Sequence, residues 1–202
     1  MGDKERPEDS FTIDYYNENA VGYVANTIDL DMSSIYCEFE RLIPSRCKIL
    51  DLGCGSGRDS AYFTRTGKDV ISIDASEKMC EQARKYTDNP VFQKRIEDLD
   101  YEEEFDAIWA CASLLHISRD HISEVIQKLF LALKKNGILY ASWKYGDLDT
   151  VQTERLFSNY DEHGLKNIFE AANGLSIVKM WVTEDVSGRK EKWINVLARR
   201  VG

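Results

Sequence analysis

Apolar residues along this chain follow two periods, and the two alternate. Short apolar runs at 47–52, 70–74, 91–93, 105–112 and 138–143 have the length and texture of strands. The run at 105–112 is apolar on both faces, as a central parallel strand covered on both sides must be. Between these runs the apolar positions fall at helical spacing. Ala61, Tyr62 and Phe63 follow the first run, and Met79, Ala83 and Tyr86 follow the second, with Ser76 placed to cap that helix. Ile122, Val125, Ile126, Leu129 and Leu133 predict a helix capped by Ser118 and ended by Lys134-Lys135-Asn136-Gly137. Ahead of the first strand lie a tyrosine-rich helix over 13–28 and a second helix with Asp31 as N-cap, which carries Ile35, Phe39 and Leu42 and stops at Pro44. Beyond the fifth strand come a loop, a helix at 161–172 with Leu165, Ile168 and Phe169 inward, and two strands at 175–185 and 192–199 around the turn Val186-Ser187-Gly188-Arg189.

Strand and helix alternating five times predict an α/β fold, a doubly wound parallel sheet with helices on both faces. The closing strand pair breaks the alternation, as a hairpin must. No internal repeat or linker divides the chain, so one domain is expected: a loose tail at 1–10, a helical cap at 11–44 and the sheet-bearing core at 45–202.

Composition narrows the classes of partner. The chain has 202 residues, 35 acidic against 26 basic, for a net charge of −9. That balance opposes binding along a phosphate backbone, so no nucleic-acid partner is expected. The basic residues between Arg189 and Arg200 are expected to divide between the two faces of a hairpin. Five scattered cysteines form neither a disulfide framework nor a zinc pattern, and His116, His121 and His163 lack metal-ligand spacing. No apolar run reaches membrane-spanning length, and the first residues carry no secretory pattern. A soluble, reduced, cytoplasmic protein without a metal or membrane partner is the expectation.

The informative local feature is the run Asp51-Leu52-Gly53-Cys54-Gly55-Ser56-Gly57-Arg58 between a strand and a helix. Such a turn is expected to bring free backbone N–H groups to the carboxyl edge of the sheet, where α/β folds bind ligands. It is not the dinucleotide fingerprint, because Arg58 stands where that fingerprint has its last glycine. The acid at Asp51 would be poorly placed beside a pyrophosphate and well placed beside a cationic ligand. A second acid, Asp74, ends the next strand, where a carboxylate accepts hydrogen bonds from ribose hydroxyls. Glu97-Asp98 follows the third strand, within reach of an adenine edge.

These residues resemble the class I S-adenosylmethionine-dependent methyltransferase family. The resemblance rests on Ile49-Leu50-Asp51-Leu52-Gly53-Cys54-Gly55-Ser56-Gly57, on Asp74, on Phe105-Asp106-Ala107-Ile108-Trp109-Ala110 and on Leu133-Lys134-Lys135-Asn136-Gly137-Ile138-Leu139, and covers roughly residues 47–145. Within that family the chain looks like the small stand-alone bacterial enzymes. The resemblance implies a Rossmann-like sheet of seven strands, mostly parallel with the last antiparallel, and S-adenosyl-L-methionine as methyl donor. Carried over by position, Gly53 and Gly55 pass close to the methionine part and Asp51 faces its charged end. Asp74 takes the ribose, Ala75 and Met79 line the adenosine, and Glu97, Asp98 and Leu99 border the adenine. The backbone near Ala110 accepts the ammonium, and Arg58 is counted with the donor-site residues. Asn136-Gly137 replaces the commoner Pro-Gly of the family.

The methyl acceptor is expected to be a small molecule bound above strands four and five, beneath the helical cap. An Asn-Pro-Pro-Tyr run, which would indicate amino-methylation of planar nitrogens, is absent; Ala110-Cys111-Ala112-Ser113 stands there instead. Cys111 lacks the preceding proline of a base-carbon methylase and reads as a packing residue. The catalytic residue stays open among His116, Tyr16 and Lys144. His116 is placed to act as general base or to anchor its loop, Tyr15 and Tyr16 to form a lid or pack the cap, and Lys144 and Arg155 to hold an acidic acceptor. Two other functions share the fold. One is a catalytically idle donor-binding subunit; the other is a nicotinamide-dependent oxidoreductase, against which Arg58 and the missing Tyr-x-x-x-Lys count. The oligomeric state is not legible.

Overall fold

The computed structural model describes residues 7–172 and 174–201. Seven strands form one sheet in the order β3-β2-β1-β4-β5-β9-β8. They are β1 (Lys48–Leu52), β2 (Asp69–Asp74), β3 (Val91–Gln93), β4 (Phe105–Ala110), β5 (Leu133–Lys144), β8 (Leu175–Glu184) and β9 (Lys192–Arg200). β1 through β5 pair in parallel, while β9 runs antiparallel to both β5 and β8. The mostly parallel seven-stranded sheet with an antiparallel last strand is therefore present. The chain reverses direction across the sheet between β1 and β4, and in open α/β sheets such a reversal leaves a ligand crevice beyond the carboxyl ends of the strands.

Side-chain alternation along the strands divides the core between the two faces of the sheet. Leu50, Leu52, Ile108, Ala110, Leu139 and Ala141 face α5 (Ile122–Ala132) and α6 (Glu162–Ala171). Ile49, Ala107, Trp109, Ile138 and Tyr140 face the opposite layer, with α2 (Ser33–Glu40) and α3 (Arg58–Arg65). There Trp109 stacks on Tyr140 with ring centroids 4.1 Å apart. The long helix α1 (Pro7–Thr27) lies across the carboxyl edge and packs Ala20 and Val24 on Met79 of α4 (Glu77–Ala83).

Several boundaries depart from expectation. α1 begins at Pro7, inside the segment expected as a tail; residues 1–6 of that tail lie outside the described residues. The N-cap of α2 is Met32, and Asp31 instead accepts the Ser33 N–H at 2.9 Å. Ser76 caps α4 as expected, through the Met79 N–H, but the helix ends at Ala83 and leaves Tyr86 exposed. α5 starts at Ile122 with His121 at the N-cap, and the Ser118 carbonyl accepts the His121 and Ile122 N–H groups in a preceding turn. Lys134 to Gly137 belong to β5 and not to the end of α5. Leu133 already pairs with Phe105, and the register shifts before Ala107 meets Ile138. Asn136, at φ 63°, makes that bulge, and a Cβ on Gly137 would sit 2.8 Å from the Lys134 carbonyl oxygen.

The loop expected after β5 contains a small hairpin, β6 (Thr150–Gln152) and β7 (Arg155–Phe157). Thr153 and Glu154 connect it with φ of 47° and 66°. Two-residue turns with both φ positive normally announce themselves with Asn or Gly, and Thr-Glu carries no such signal.

Candidate active site

The glycine turn after β1 is held against the end of β2 by its own amides. The Gly53 and Cys54 N–H groups both donate to the Ile73 carbonyl, at 2.9 and 3.0 Å, and Gly57 N–H donates to the Cys54 carbonyl at 2.9 Å. Gly55 N–H donates to Asp74 Oδ2 at 3.0 Å. The expectation of free amides at this turn is thus corrected for these four: they are committed within the protein. A pyrophosphate needs such donors pointing outward. Gly53 must be glycine for a steric reason as well as for its φ of 72°, since a Cβ there would lie 2.5 Å from the Cβ of Ser113.

Two adjoining cavities open at this edge of the sheet. The first is lined by Gly53, Gly55, Asp74, Ala75, Met79 and Glu97 among others, with Tyr16 and Tyr23 of α1 above them. Asp74 also accepts the Ser76 N–H at 2.9 Å, and burial pushes its carboxyl up to about 6 despite the two amide hydrogen bonds. The second cavity, about 440 Å³, lies between α1, the β6–β7 hairpin and the ends of β5, β8 and β9. Five residues line both: Tyr16, Tyr23, Cys111, Ala112 and His116. They mark the junction. Ala112 there has φ 52°, held by a hydrogen bond from its N–H to Ser142 Oγ. A non-glycine residue in this region stores strain of the kind found at functional sites.

Five of the eleven expected donor-site residues do not line the first cavity. Asp51 follows Ile49 in the alternation of β1, so its side chain enters the α3 layer, where Ser60 Oγ donates to it at 2.5 Å. Burial, with the nearby charge of Asp59, pushes its carboxyl up to about 8. Arg58 turns away to Asp59, donating through Nε at 2.6 Å and Nη2 at 2.9 Å, and borders only the second cavity. Burial alone would raise the Asp59 carboxyl, but Arg58 and the donors Tyr36 and Trp109 outweigh it and hold it low. Asp98 is exposed on a single turn of 3₁₀ helix, Leu99 is buried in the core, and Ala110 is fully buried in β4. In their place the structure brings Ser113, whose buried Oγ lacks a hydrogen-bond partner, and Ile96, Arg95 and Lys94 beside Glu97. Ser113 follows an apolar strand, and no sequence signal distinguishes it from a packing serine.

The three catalytic candidates fare differently. His116 sits in a 3₁₀ turn (Leu114–His116), its Nδ1 2.7 Å from the Leu156 carbonyl of β7 and its Nε2 2.9 Å from the Tyr16 hydroxyl. A carbonyl only accepts, so Nδ1 carries the proton and the Tyr16 O–H donates to Nε2. Burial, reinforced by Arg155 and Lys144, lowers the imidazole to about 4 despite the bond to Leu156. Burial raises the Tyr16 phenol, partly offset by Arg155. Lys144 lines the second cavity but is paired with Glu191 at 3.0 Å. Cys111 at the junction is pushed up to about 12 by burial and the Asp59 charge, which leaves it a neutral thiol. Among the described residues no group of histidines, cysteines and acids is placed to hold a metal, and no helix is long and apolar enough to cross a membrane.

Residues 49–137 match the family of the methyltransferase domain. The chain is 29% identical over 134 residues to YqeM of Bacillus subtilis, which bears a methyltransferase name, spanning 61% of this chain and 53% of that one. It is 29% identical over 117 residues to a ubiquinone biosynthesis O-methyltransferase of Nitrobacter winogradskyi, spanning 53% and 44%. The chain thus spans about half the length of the curated relatives it matches. Among solved structures, the 1,6-didemethyltoxoflavin-N1-methyltransferase of Burkholderia thailandensis, with bound 1,6-didemethyltoxoflavin and S-adenosylhomocysteine, superposes with a TM-score of 0.80 at 18% identity, covering 100% of this chain and 93% of that one. Magnesium protoporphyrin IX methyltransferase of Synechocystis, with bound S-adenosylmethionine, gives 0.74 at 19% identity, covering 99% and 100%. At these identities the superpositions speak to the fold.

Proposed function

Residues 49–137 match the methyltransferase-domain family, and from that premise we propose that the chain is a class I S-adenosylmethionine-dependent methyltransferase that methylates a small-molecule acceptor held in the second cavity. The observation that carries the reading is the pair of cavities meeting at Tyr16, Cys111, Ala112 and His116. A donor slot and an acceptor chamber that share one wall are what a direct displacement needs, since alignment supplies much of the catalysis.

The first cavity fits the donor. Asp74 is an acceptor for ribose hydroxyls, and Ala75 and Met79 are apolar surfaces for the adenosine. Gly55 lies within van der Waals reach of the cavity wall, since a Cβ there would stand 3.7 Å from Tyr23 and 3.8 Å from Met79. The unpartnered Ser113 Oγ supplies a hydrogen bond for the polar amino-acid end. The internally bonded amides of the glycine turn favour a ligand without phosphates over a dinucleotide.

S-adenosylmethionine, when bound, supplies an electrophilic methyl whose carbon–sulfur electron pair stays on sulfur as the acceptor's lone pair forms the new bond. The protein's part is to aim the acceptor and take its proton. Tyr16, its own proton committed to His116 Nε2, presents oxygen lone pairs to an acceptor O–H or N–H. A proton leaving the acceptor can pass to Tyr16 Oη as the phenolic proton moves to Nε2. His116 near 4 is a weak base, and it suffices for an oxygen acceptor because an alkylated oxygen is strongly acidic until it gives up its proton. His116 therefore acts on the acceptor through Tyr16, not by direct contact.

The test is a melt and a transfer assay. S-adenosylhomocysteine at about 100 times its dissociation constant should add about 2.7 kcal/mol of stability, and NADH should add none. Radiolabelled donor incubated with a small-metabolite extract should label a low-molecular-mass product. Stabilisation by NADH alone would overturn the donor assignment, and donor binding without transfer to any extract would favour the idle-subunit reading.

A further inference from the structure

The second cavity contains an uncompensated cation. Arg155, on the inner strand of the β6–β7 hairpin, is half-buried and lines the cavity beside Tyr16 and His116. Its guanidinium carbon lies 4.0 Å from the ring centroid of Tyr15, 5.7 Å from that of Tyr16 and 5.1 Å from that of Phe157. Its Nε is buried without a hydrogen-bond partner, while Nη2 donates to Thr153 Oγ1 at 3.1 Å. Among the described residues, no carboxylate pairs with it.

The other charges lining this cavity are matched or open to water. Arg58 is paired with Asp59, Lys144 with Glu191, and Glu184 with Lys192 at 3.8 Å. Asp185 accepts from Trp193 Nε1 at 2.9 Å and from the Ser187 N–H at 2.7 Å, and Arg189 is exposed on the turn after β8. Burying a guanidinium against three aromatic rings without a counter-charge is costly unless an anion arrives to meet it. Arg is the side chain best suited to take a carboxylate, through two parallel N–H donors on a planar fork.

We propose that Arg155 is the acceptor-binding residue, and that the acceptor is a small aromatic acid whose carboxylate docks on this guanidinium. The rings of Tyr15, Tyr16 and Phe157 that hold the guanidinium also offer flat apolar surface for the acceptor's ring. Docked there, the acid has its nucleophile toward the junction, where Tyr16 and His116 stand. The assignment rests on the methyltransferase reading for its chemistry, but binding at Arg155 can be measured without it.

The experiment is a calorimetric titration of the full chain with 4-hydroxybenzoate and with its uncharged analogue 4-hydroxybenzamide, with and without saturating S-adenosylhomocysteine. The carboxylate should bind at least tenfold tighter than the amide. Arg155→Gln should abolish that preference and Arg155→Lys should retain part of it, with S-adenosylhomocysteine affinity unchanged in both and the melting temperature not lowered by Arg155→Gln. Equal affinity for acid and amide, no binding of the acid at millimolar concentration, or a preference that survives Arg155→Gln would overturn the proposal. Loss of S-adenosylhomocysteine binding by the wild type would instead sink the methyltransferase reading, and leaves the carboxylate comparison readable by itself.

Discussion

The hydroxyl of Tyr16 donates a 2.9 Å hydrogen bond to Nε2 of His116, joining the cap helix to the turn after β4 across one hundred residues of sequence. The same imidazole is pinned on its other side by the Leu156 carbonyl at 2.7 Å. A histidine held at both nitrogens has one tautomer and one orientation. In the proposed reaction Tyr16 is thereby the group that meets the acceptor.

Removing the hydroxyl alone should therefore resemble removing the imidazole. Tyr16→Phe and His116→Gln are each expected to lower turnover by about 10²-fold, the low end for general-base assistance, with S-adenosylhomocysteine affinity intact. The double variant should lose little more than either single one, because the two residues act as a unit. Steady-state kinetics with saturating donor checks this; multiplicative losses would separate the residues.

The depressed imidazole also predicts a pH dependence of folding. Its native value is about 4, against about 6.5 when unfolded, so between those limits the unfolded state binds the extra proton. The stabilisation is fully present above pH 6.5 and is lost as pH falls toward 4, amounting to about 3 kcal/mol. Asp74, raised to about 6, works in the opposite direction over part of this window. The contribution is thus read as a difference: urea melts of wild type and His116→Gln should diverge less at pH 4.5 than at pH 7.

Asp74 braces the glycine turn and is the proposed ribose acceptor, and a substitution should show both. Asp74→Ala removes that proposed acceptor and should weaken S-adenosylhomocysteine binding by about 1.5–3 kcal/mol. It also frees the Gly55 and Ser76 N–H groups, so the ligand-free protein should lose about 1–3 kcal/mol of stability. Asp74→Asn should be milder on both counts, since an amide oxygen still accepts. Affinity of the wild type should fall as pH drops through about 6, where the carboxyl takes up its proton. Calorimetry at pH 5 and pH 8 measures it.

Asp59 is the anchor of a buried network. It receives Arg58, Tyr36 Oη at 2.5 Å and Trp109 Nε1 at 2.8 Å. Asp59→Ala leaves the Arg58 charge buried and uncompensated and should cost about 3–5 kcal/mol in a denaturant titration. Arg58→Met should alter stability and not S-adenosylhomocysteine affinity, which would confirm that Arg58 braces the second cavity and takes no part in holding the donor.

The order of elements, the parallel sheet and the sheet edge at which the first cavity opens were legible in the sequence because each rests on local patterning. Strand-length apolar runs such as 105–112, the glycine turn with Asp74 one strand later, and the cap Ser76 act within a few residues of themselves. Gly53, Gly55, Ala75 and Met79, which line the first cavity, were named through the family resemblance and not from local patterning. What the tertiary structure decided was where side chains point when the choice depends on distant neighbours. Asp51 and Arg58 look like ligand residues in one dimension, but strand alternation and the Ser60, Asp59 and Trp109 partners turn them into the core. The Thr153–Glu154 turn has no composition that announces a hairpin, so β7 could not be foreseen, nor the carbonyl that fixes His116; Arg155 could be named for an acidic acceptor, but not its place among the rings of Tyr15, Tyr16 and Phe157. A periodic pattern says which face of an element is buried; only packing brings Tyr16, His116 and Arg155, far apart along the chain, to the wall of one cavity and sets the proton positions and charge on which their proposed roles rest.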